Sequence, residues 1–255
     1  QGLLQLANVP FVGSGVLGSS IGMDKEVAKR LIQAAGIRTA PWISLRDFSW
    51  VDQKLSIEKE IKEGFGYPCF VKPVNLGSSV GITKVKDSKG LIQAIEFAFR
   101  YDDKVIVEKG ISGQEIELSV LESLNRSEEP RVSIPGEIVP QTDFYSYDAK
   151  YIDDEGAKLL IPAQLTESQI QTAQALASRI VRVLECEGLA RVDLFYSKAE
   201  GEFYFNEVNT LPGFTSISMY PKLWEHSGMS YPRLLDELIE LAQQRFKRKS
   251  QRLRR

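Results

Sequence analysis

Behind Asp24, apolar residues recur at spacings of three and four. Val27, Ala28, Leu31, Ile32 and Ala35 fall on one face, Asp24 stands at the N-cap position, and Gly36 ends the pattern, which together predict an amphipathic helix. A second stripe, Ile170, Ala173, Ala177, Ile180, Val181 and Leu184, follows Thr166 and Gln169, whose spacing is that of a capping box. A third, Leu234, Leu235, Leu238, Ile239 and Ala242, follows Ser230 and predicts a final helix. Weaker helical patterns occur over 58–63 and 88–100, and Gln1–Leu6 reads as part of an apolar helix followed by a strand-like piece, Val9–Val12. Strands are predicted at Cys69–Pro73, Ile82–Val85 and Val105–Glu108, alternating with helices as in a small mixed α/β unit. A second unit starts near Ile116, with strands over 116–124 and 132–139 and a hairpin over about 189–209. Between them, residues 141–160 form a polar, tyrosine-rich excursion, and a loop of this length in a compact domain is usually functional.

The hairpin is the most informative element chemically. Arg191 and Asp193 lie two apart on one strand, and Glu207 and Asn209 two apart on the other, so each pair shares a face. A turn symmetric about Glu200 pairs 193 with 207 and 191 with 209. Asp193, Glu207 and Asn209 then form an oxygen-rich cluster of the kind that suits Mg²⁺ beside phosphates, with Arg191 at its edge. A one-residue slip destroys this arrangement, and spacing alone leaves open a solvent-facing hairpin. A second candidate is the loop with Gly77, Ser78, Ser79 and Gly81, which can turn N–H groups and hydroxyls toward an anion just after Lys72. It is neither a GxxxxGK[ST] phosphate loop nor a dinucleotide fingerprint, and by itself it reads equally as a tight turn. Third, the strand Val105–Val107 runs out into Glu108-Lys109 and on to Glu115, placing polar groups where a nucleoside could bind. A surface-exposed strand end is the alternative.

Composition narrows the class. In 255 residues there are 32 basic and 34 acidic side chains. Seven of the basic ones fall in residues 245–255 with no acid, so the first 244 carry 25 against 34, an acidic body unlike that of a general nucleic-acid binder. The basic tail reads as the solvated end of the last helix. No run of 18 apolar residues exists to span a bilayer. Cys69 and Cys186 lack ligand-like neighbours and are expected to be free, buried thiols from a reducing compartment. His226 has no partners for a triad and Trp42, Trp50 and Trp224 are expected in the core or at its rim. There is no HExxH, nucleophile elbow or spaced Cys/His set.

Taken in order, the motifs are similar to those of the ATP-grasp fold and, within it, of the D-alanine–D-alanine ligases. The matching pieces are Gln1-Gly2-Leu3-Leu4, Gly13-Ser14, Met23-Asp24-Lys25, Val71-Lys72-Pro73, Gly77-Ser78-Ser79-Val80-Gly81, Glu108-Lys109, Tyr147-Asp148-Ala149-Lys150-Tyr151, Gly188-Leu189-Ala190-Arg191-Val192-Asp193 and, most specifically, Asn206-Glu207-Val208-Asn209-Thr210-Leu211-Pro212-Gly213-Phe214-Thr215-Ser216. The resemblance covers nearly all of residues 1–244. It implies an α/β ATP-grasp architecture: two subdomains, 23–115 and 116–244, clamping a nucleotide, preceded by a remnant of an N-terminal domain (1–22) and followed by the basic tail (245–255). It further implies that Lys25, Lys72, Glu108, Lys109, Ile111 and Glu115 surround ATP, that Ser78 and Ser79 belong to a lid, and that Asp193, Glu207 and Asn209 bind two Mg²⁺ (or Mn²⁺) ions. Arg191, Gly213 and Ser218 are implied around the substrate carboxylates and the tetrahedral intermediate, with Lys150 and Tyr151 on a closing loop.

The implied reaction joins two D-alanine molecules through an acyl phosphate, releasing ADP and phosphate, for peptidoglycan precursor synthesis in a bacterial cytoplasm. The full-length protein is expected to be a homodimer, with no membrane span and no nucleic-acid partner. Tyr151 favours an amine nucleophile, D-alanine, over D-lactate. D-serine is the nearest alternative, and another carboxylate–amine ligase of the same fold is the broader one. The resemblance includes an additional N-terminal domain absent from these residues, so the chain by itself is expected to keep a nucleotide cleft and have little ligase turnover.

Overall fold

The computed structural model describes residues 1–140, 157–215 and 217–251, and two antiparallel sheets organise them. The smaller sheet runs β1 (Trp42–Arg46), β4 (Lys104–Lys109), β2 (Cys69–Pro73), β3 (Thr83–Val85). The larger runs β10 (Glu202–Asn209), β9 (Leu189–Ser197), β5 (Gln114–Leu121), β7 (Gly136–Pro140), β8 (Ala157–Leu160), with β6 (Arg131–Val132) paired to β5. In the smaller sheet, Cys69, Val71, Val105 and Val107 enter a core closed by Ile57 and Ile61 of α4 (Asp47–Gly64) and by Leu91 and Ile95 of α5 (Leu91–Ala98). The two-residue period then puts Phe70, Lys72, Ile106 and Glu108 on the opposite face. In the larger sheet, Ile116, Leu118, Val192, Leu194, Phe203 and Phe205 pack under α3 (Lys25–Ala34) and α6 (Glu167–Val183). Glu117, Ser119, Arg191 and Asp193 occupy the other face. Both alternations are what half-polar antiparallel strands require.

Local chemistry sets the helix ends. Asp24 accepts from Val27 N–H at 2.9 Å. At the other end of α3, Gly36 adopts φ +72°, while its N–H bonds Gln33 O and that of Ile37 bonds Ile32 O, a Schellman closure. Thr166 and Gln169 form the expected reciprocal capping box of α6. Ser230 does occupy the N-cap of α8 (Tyr231–Ser250), but its side chain makes no capping bond.

Several expectations need correction. The pattern over 58–63 is the end of α4, an 18-residue helix that buries only Trp50, Ile57 and Ile61; Phe48, Val51 and Leu55 face outward, which blurred its period. Residues 88–100 divide into a 3₁₀ turn, Ser88–Gly90, and α5. The strand predicted over 132–139 is split into β6 and β7, and the predicted 141–160 excursion gives way at Ala157–Leu160 to strand β8 (141–156 lie outside the described residues). Helix α1 (Gly2–Leu6) matches the expected first helix, and β1 and α2 (Val16–Met23) have no counterpart among the expected elements. Val9–Val12 is not a strand: Pro10 offers no N–H, and the segment is held instead by Arg245, which donates to Phe11 O at 2.6 Å and to Gly13 O. Arg245 is therefore buried rather than part of a solvated tail, and its guanidinium also faces Glu187 at 3.3 Å. Both cysteines are free, although Cys186 is only partly covered. Trp50 and Trp224 are buried, and exposed His226 ends α7 (Met219–His226). Among the described residues no helix is long and apolar enough to cross a membrane.

The chain passes between sheets through the short connection from β4 to β5. At Gly113 a Cβ would lie 2.1 Å from the Tyr196 carbonyl oxygen, backbone against backbone. Gly113→Ala is therefore expected to destabilise the fold by about 2–3 kcal/mol, the cost of forcing an atom into packed structure. Urea unfolding checks this, and an unchanged midpoint would contradict it.

Candidate active site

The site begins with a fault in a strand. From Glu202 to Phe205, β10 pairs with β9 in one register, Glu202 opposite Ser197 and Phe205 opposite Leu194. A bulge between Phe205 and Glu207 then shifts it, so Glu207 lies opposite Asp193 and Asn209 opposite Arg191. Without the extra residue, Glu207 would follow Phe203 and Phe205 into the core. With it, Val208 takes the core position, and Glu207 and Asn209 turn to the face of Asp193 and Arg191. The predicted pairs are thus observed, but through a bulge rather than a turn centred on Glu200.

On this face Arg191 grips Asp193 with two bonds, Nε–Oδ1 and Nη2–Oδ2, each 2.7 Å. Asn209 Nδ2 donates to Asp193 Oδ2 at 3.1 Å. Glu117, opposite Asp193 on β5, brings Oε1 within 3.2 Å of Arg191 Nη2. Burial by itself would lower the Arg191 pKa, but Asp193 and Glu117 outweigh it and raise it well above the ordinary value. Arg191 therefore stays a cation.

Helix α3 carries the opposite charge to this sheet edge. Lys25 and Lys29, four apart, share a face, a like-charge spacing that is unfavourable unless each finds an anion. Lys25 Nζ lies 3.6 Å from Glu207 Oε2 and donates to Leu76 O at 2.6 Å, tying the helix to the β2–β3 loop. Lys29 Nζ lies 3.4 Å from Glu108 Oε1, while Glu108 Oε2 accepts from Lys72 Nζ at 3.0 Å. Burial would raise the Glu108 pKa, but Lys29 and Lys72 on its two sides hold it below the usual carboxylate value. For Lys72, burial pulls downward, yet Glu108 wins and the pKa is raised. For Lys29, burial is the strongest influence and the pKa is lowered despite Glu108. One chain of charges thus runs from Lys72 through Glu108 to Lys29. A second joins Lys25 to Glu207, whose cross-strand neighbour is Asp193.

The structure therefore brings Lys25, Lys72, Glu108, Arg191, Asp193, Glu207 and Asn209 together. Lys109 and Ile111 instead line an adjoining groove of about 520 Å³ with Arg38, Thr39 and Tyr204. Glu115 lies on β5 opposite Phe195. Ser78 and Ser79 both adopt left-handed φ, 54° and 60°, in the β2–β3 loop, a conformation unusual for non-glycine residues. Gly213 approaches Ser218 closely enough that a Cβ would sit 2.8 Å from Ser218 Oγ, which accepts from Thr215 N–H at 3.0 Å. Lys150 and Tyr151 lie outside the described residues.

Lys29 and Glu117 were missed. Lys29 looks in sequence like one more polar position of an amphipathic helix, and only its spacing from Lys25 hinted at a shared site. Glu117 belongs to the alternation Glu115-Ile116-Glu117-Leu118-Ser119, which signals a polar face without saying what faces it.

Asp193 and Glu207 supply carboxylate oxygens and Asn209 an amide oxygen, a donor set of hard ligands that fits Mg²⁺ or Mn²⁺. Among the described residues no cluster of three or more His, Cys, Asp or Glu is preformed for a metal. Here both carboxylates face cations, Arg191 and Lys25.

Because the folded pKa of Glu108 lies below its unfolded value, its contribution to stability is present above about pH 4.3 and is lost as pH falls through the folded value. Glu108→Gln is expected to be less stable at pH 7 and to lose less stability on acidification. Urea midpoints between pH 3 and pH 7 test this, and parallel curves for the two proteins would contradict it.

The geometry has counterparts among known proteins. The family described as "D-ala D-ala ligase C-terminus" matches residues 31–240. A D-alanine–D-alanine ligase of Oceanobacillus iheyensis is 51% identical over 98% of this chain and 66% of its own length. The D-alanine–D-alanine ligase A of Chromobacterium violaceum is also 51% identical, over 95% of this chain and 64% of its own. The solved D-alanine–D-alanine ligase of Coxiella burnetii superposes with a TM-score of 0.80 at 38% identity, covering 98% of this chain and 64% of that one. The VanG D-Ala:D-Ser ligase of Enterococcus faecalis gives 0.83 at 39% identity, covering 94% and 67%. The chain spans about two thirds of the length of these relatives. The family match over residues 31–240 and the likeness to these relatives make this chain a member of the D-alanine–D-alanine ligase family, with the ATP-grasp fold.

Proposed function

We propose that the chain forms the nucleotide- and metal-binding part of an enzyme that joins two D-alanine molecules at the expense of ATP. The reaction passes through an acyl phosphate, releases ADP and phosphate, and serves peptidoglycan synthesis. The observation that carries this reading is the bulged hairpin, which turns Asp193, Glu207 and Asn209 to one face and sets Glu207 3.6 Å from the ammonium of Lys25. Acids for metal and lysines for phosphate thereby adjoin.

Two divalent ions would be held by Asp193, Glu207 and Asn209, and when bound they neutralise charge on the triphosphate. The remaining roles belong to the chain. Lys25 and Lys72 donate to phosphate oxygens. Arg191, fixed by Asp193 and Glu117, offers a cation to the oxygen that becomes negative when the amine attacks the acyl carbon, where a preorganised donor is most effective. Glu108, Lys109, Ile111 and Glu115 border the nucleoside, and Ser78 and Ser79 cover the phosphates. Gly213 leaves room for a substrate carboxylate beside Ser218, and Lys150 and Tyr151 close the site against water that would hydrolyse the acyl phosphate. A second reading, D-serine as the acceptor, draws support from the similarity to the Enterococcus faecalis enzyme named as a D-Ala:D-Ser ligase.

In the full-length enzyme, Asp193→Ala is expected to lower ADP formation with D-alanine by about 10²–10³-fold, as loss of one preorganised charged group does. ADP release and dipeptide formation, measured with D-alanine, D-serine and D-lactate, are expected to be greatest with D-alanine. Undiminished turnover in Asp193→Ala would reject the assigned role, and a preference for D-serine would establish the second reading.

A further inference from the structure

Lys29 has no part in the function proposed above, yet it is the most deeply buried lysine of the site. Its side chain is 1% exposed, its Nζ makes no hydrogen bond among the described residues, and it sits 5.9 Å from the centre of the Phe205 ring. Its nearest anion is Glu108 Oε1 at 3.4 Å, an oxygen that likewise makes no hydrogen bond among the described residues. A buried cation is expensive, and an apolar side chain of the same length would fill this space between α3 and β10 at less cost. The position calls for charge rather than bulk.

The neighbouring contacts show what that charge does. Lys72 also reaches Glu108, through the other oxygen, at 3.0 Å. If Lys72 and Glu108 were alone they would form a neutral buried pair, and an approaching phosphate would meet a lysine already matched. With Lys29 on the far oxygen, one carboxylate is shared between two ammonium groups and the triad carries a surplus positive charge. Lys29 is sealed from solvent, so that surplus is expressed through Lys72, whose side chain remains 11% exposed.

We propose that Lys29 is a positioning residue for the nucleotide: it holds Glu108 from behind and compensates its charge, so that Lys72 is fixed in place yet free to attract a phosphate. This rests on the nucleotide reading given above. Lys29 itself touches no ligand, and its influence passes through Glu108.

The test is equilibrium titration of the intact protein with MgATP and with adenosine, which lacks phosphates. The quantity read is the ratio of the two affinities, which cancels effects on the base and sugar. Lys29→Met is expected to lower the ratio by about tenfold or more, the scale of one charge-assisted contact. Adding Glu108→Gln to Lys29→Met removes the carboxylate that would tie up Lys72, and is expected to restore the ratio to within about threefold of the wild type. A residue needed only for packing would show no such rescue. An unchanged ratio in Lys29→Met, or a double variant no better than the single, overturns the proposal. If Lys29→Met does not fold, the double variant, which removes the ion pair as a unit, decides alone: a ratio still about tenfold below wild type overturns the proposal, and one within about threefold supports it. A wild-type protein that binds neither ligand instead rejects the nucleotide reading on which the proposal stands.

Discussion

One extra residue in β10 decides which side chains share the face with Asp193. Up to Phe205 the strand sends its aromatic residues into the core beneath α3 and α6; after the bulge, Val208 fills that role and Glu207 and Asn209 point the other way. A regular strand of the same sequence would turn Glu207 into the core with Phe203 and Phe205, where burying a carboxylate is costly. The same strand therefore contributes both to the hydrophobic core and to the polar site, and the bulge marks the boundary between the two.

The charges gathered around that boundary balance. Lys25, Lys29, Lys72 and Arg191 are the cations, and Glu108, Glu117, Asp193 and Glu207 are the anions; each cation has a carboxylate within 4.0 Å. Within this network the charged forms of Lys72, Glu108 and Arg191 are favoured by their partners, and the contacts order these side chains before any ligand arrives. On the proposed reading, a polyphosphate with its metal ions adds little net charge to the network, whereas either one alone would unbalance it. The preorganisation has a local structural basis: α3 is anchored by its capped start, by Lys25 on Leu76 O, and by Lys104, which holds both Asp24 and Glu26.

Much of this was legible in the sequence because it is local. The period behind Asp24, the capping box at Thr166 and the alternation on the hairpin each depend on residues within one or two turns or strands. The register was expected for the wrong reason, since the turn is not centred on Glu200. The better clue was present: the apolar positions Phe203, Phe205 and Val208 break the two-residue step where the bulge lies. What the sequence left unread depends on contacts between distant elements. Glu117 acquires meaning only when β5 lies against β9, 76 positions away at Asp193, and Lys29 only when α3 crosses to Glu108 on the other sheet. Lys109 and Ile111 were grouped with Glu108 because the family resemblance implies it; their side chains line a groove beside the charged cluster.

The central claim is that the acids turned outward by the bulge and the lysines of α3 and β2 serve one metal-bound triphosphate. A crystal of the intact protein grown with ADP and Mn²⁺ tests it directly through the anomalous signal of manganese. The account predicts manganese peaks within coordination distance of Asp193, Glu207 and Asn209, with the β-phosphate reached by Lys25 and Lys72. Manganese bound elsewhere, or a nucleotide lying outside this cleft, would contradict it.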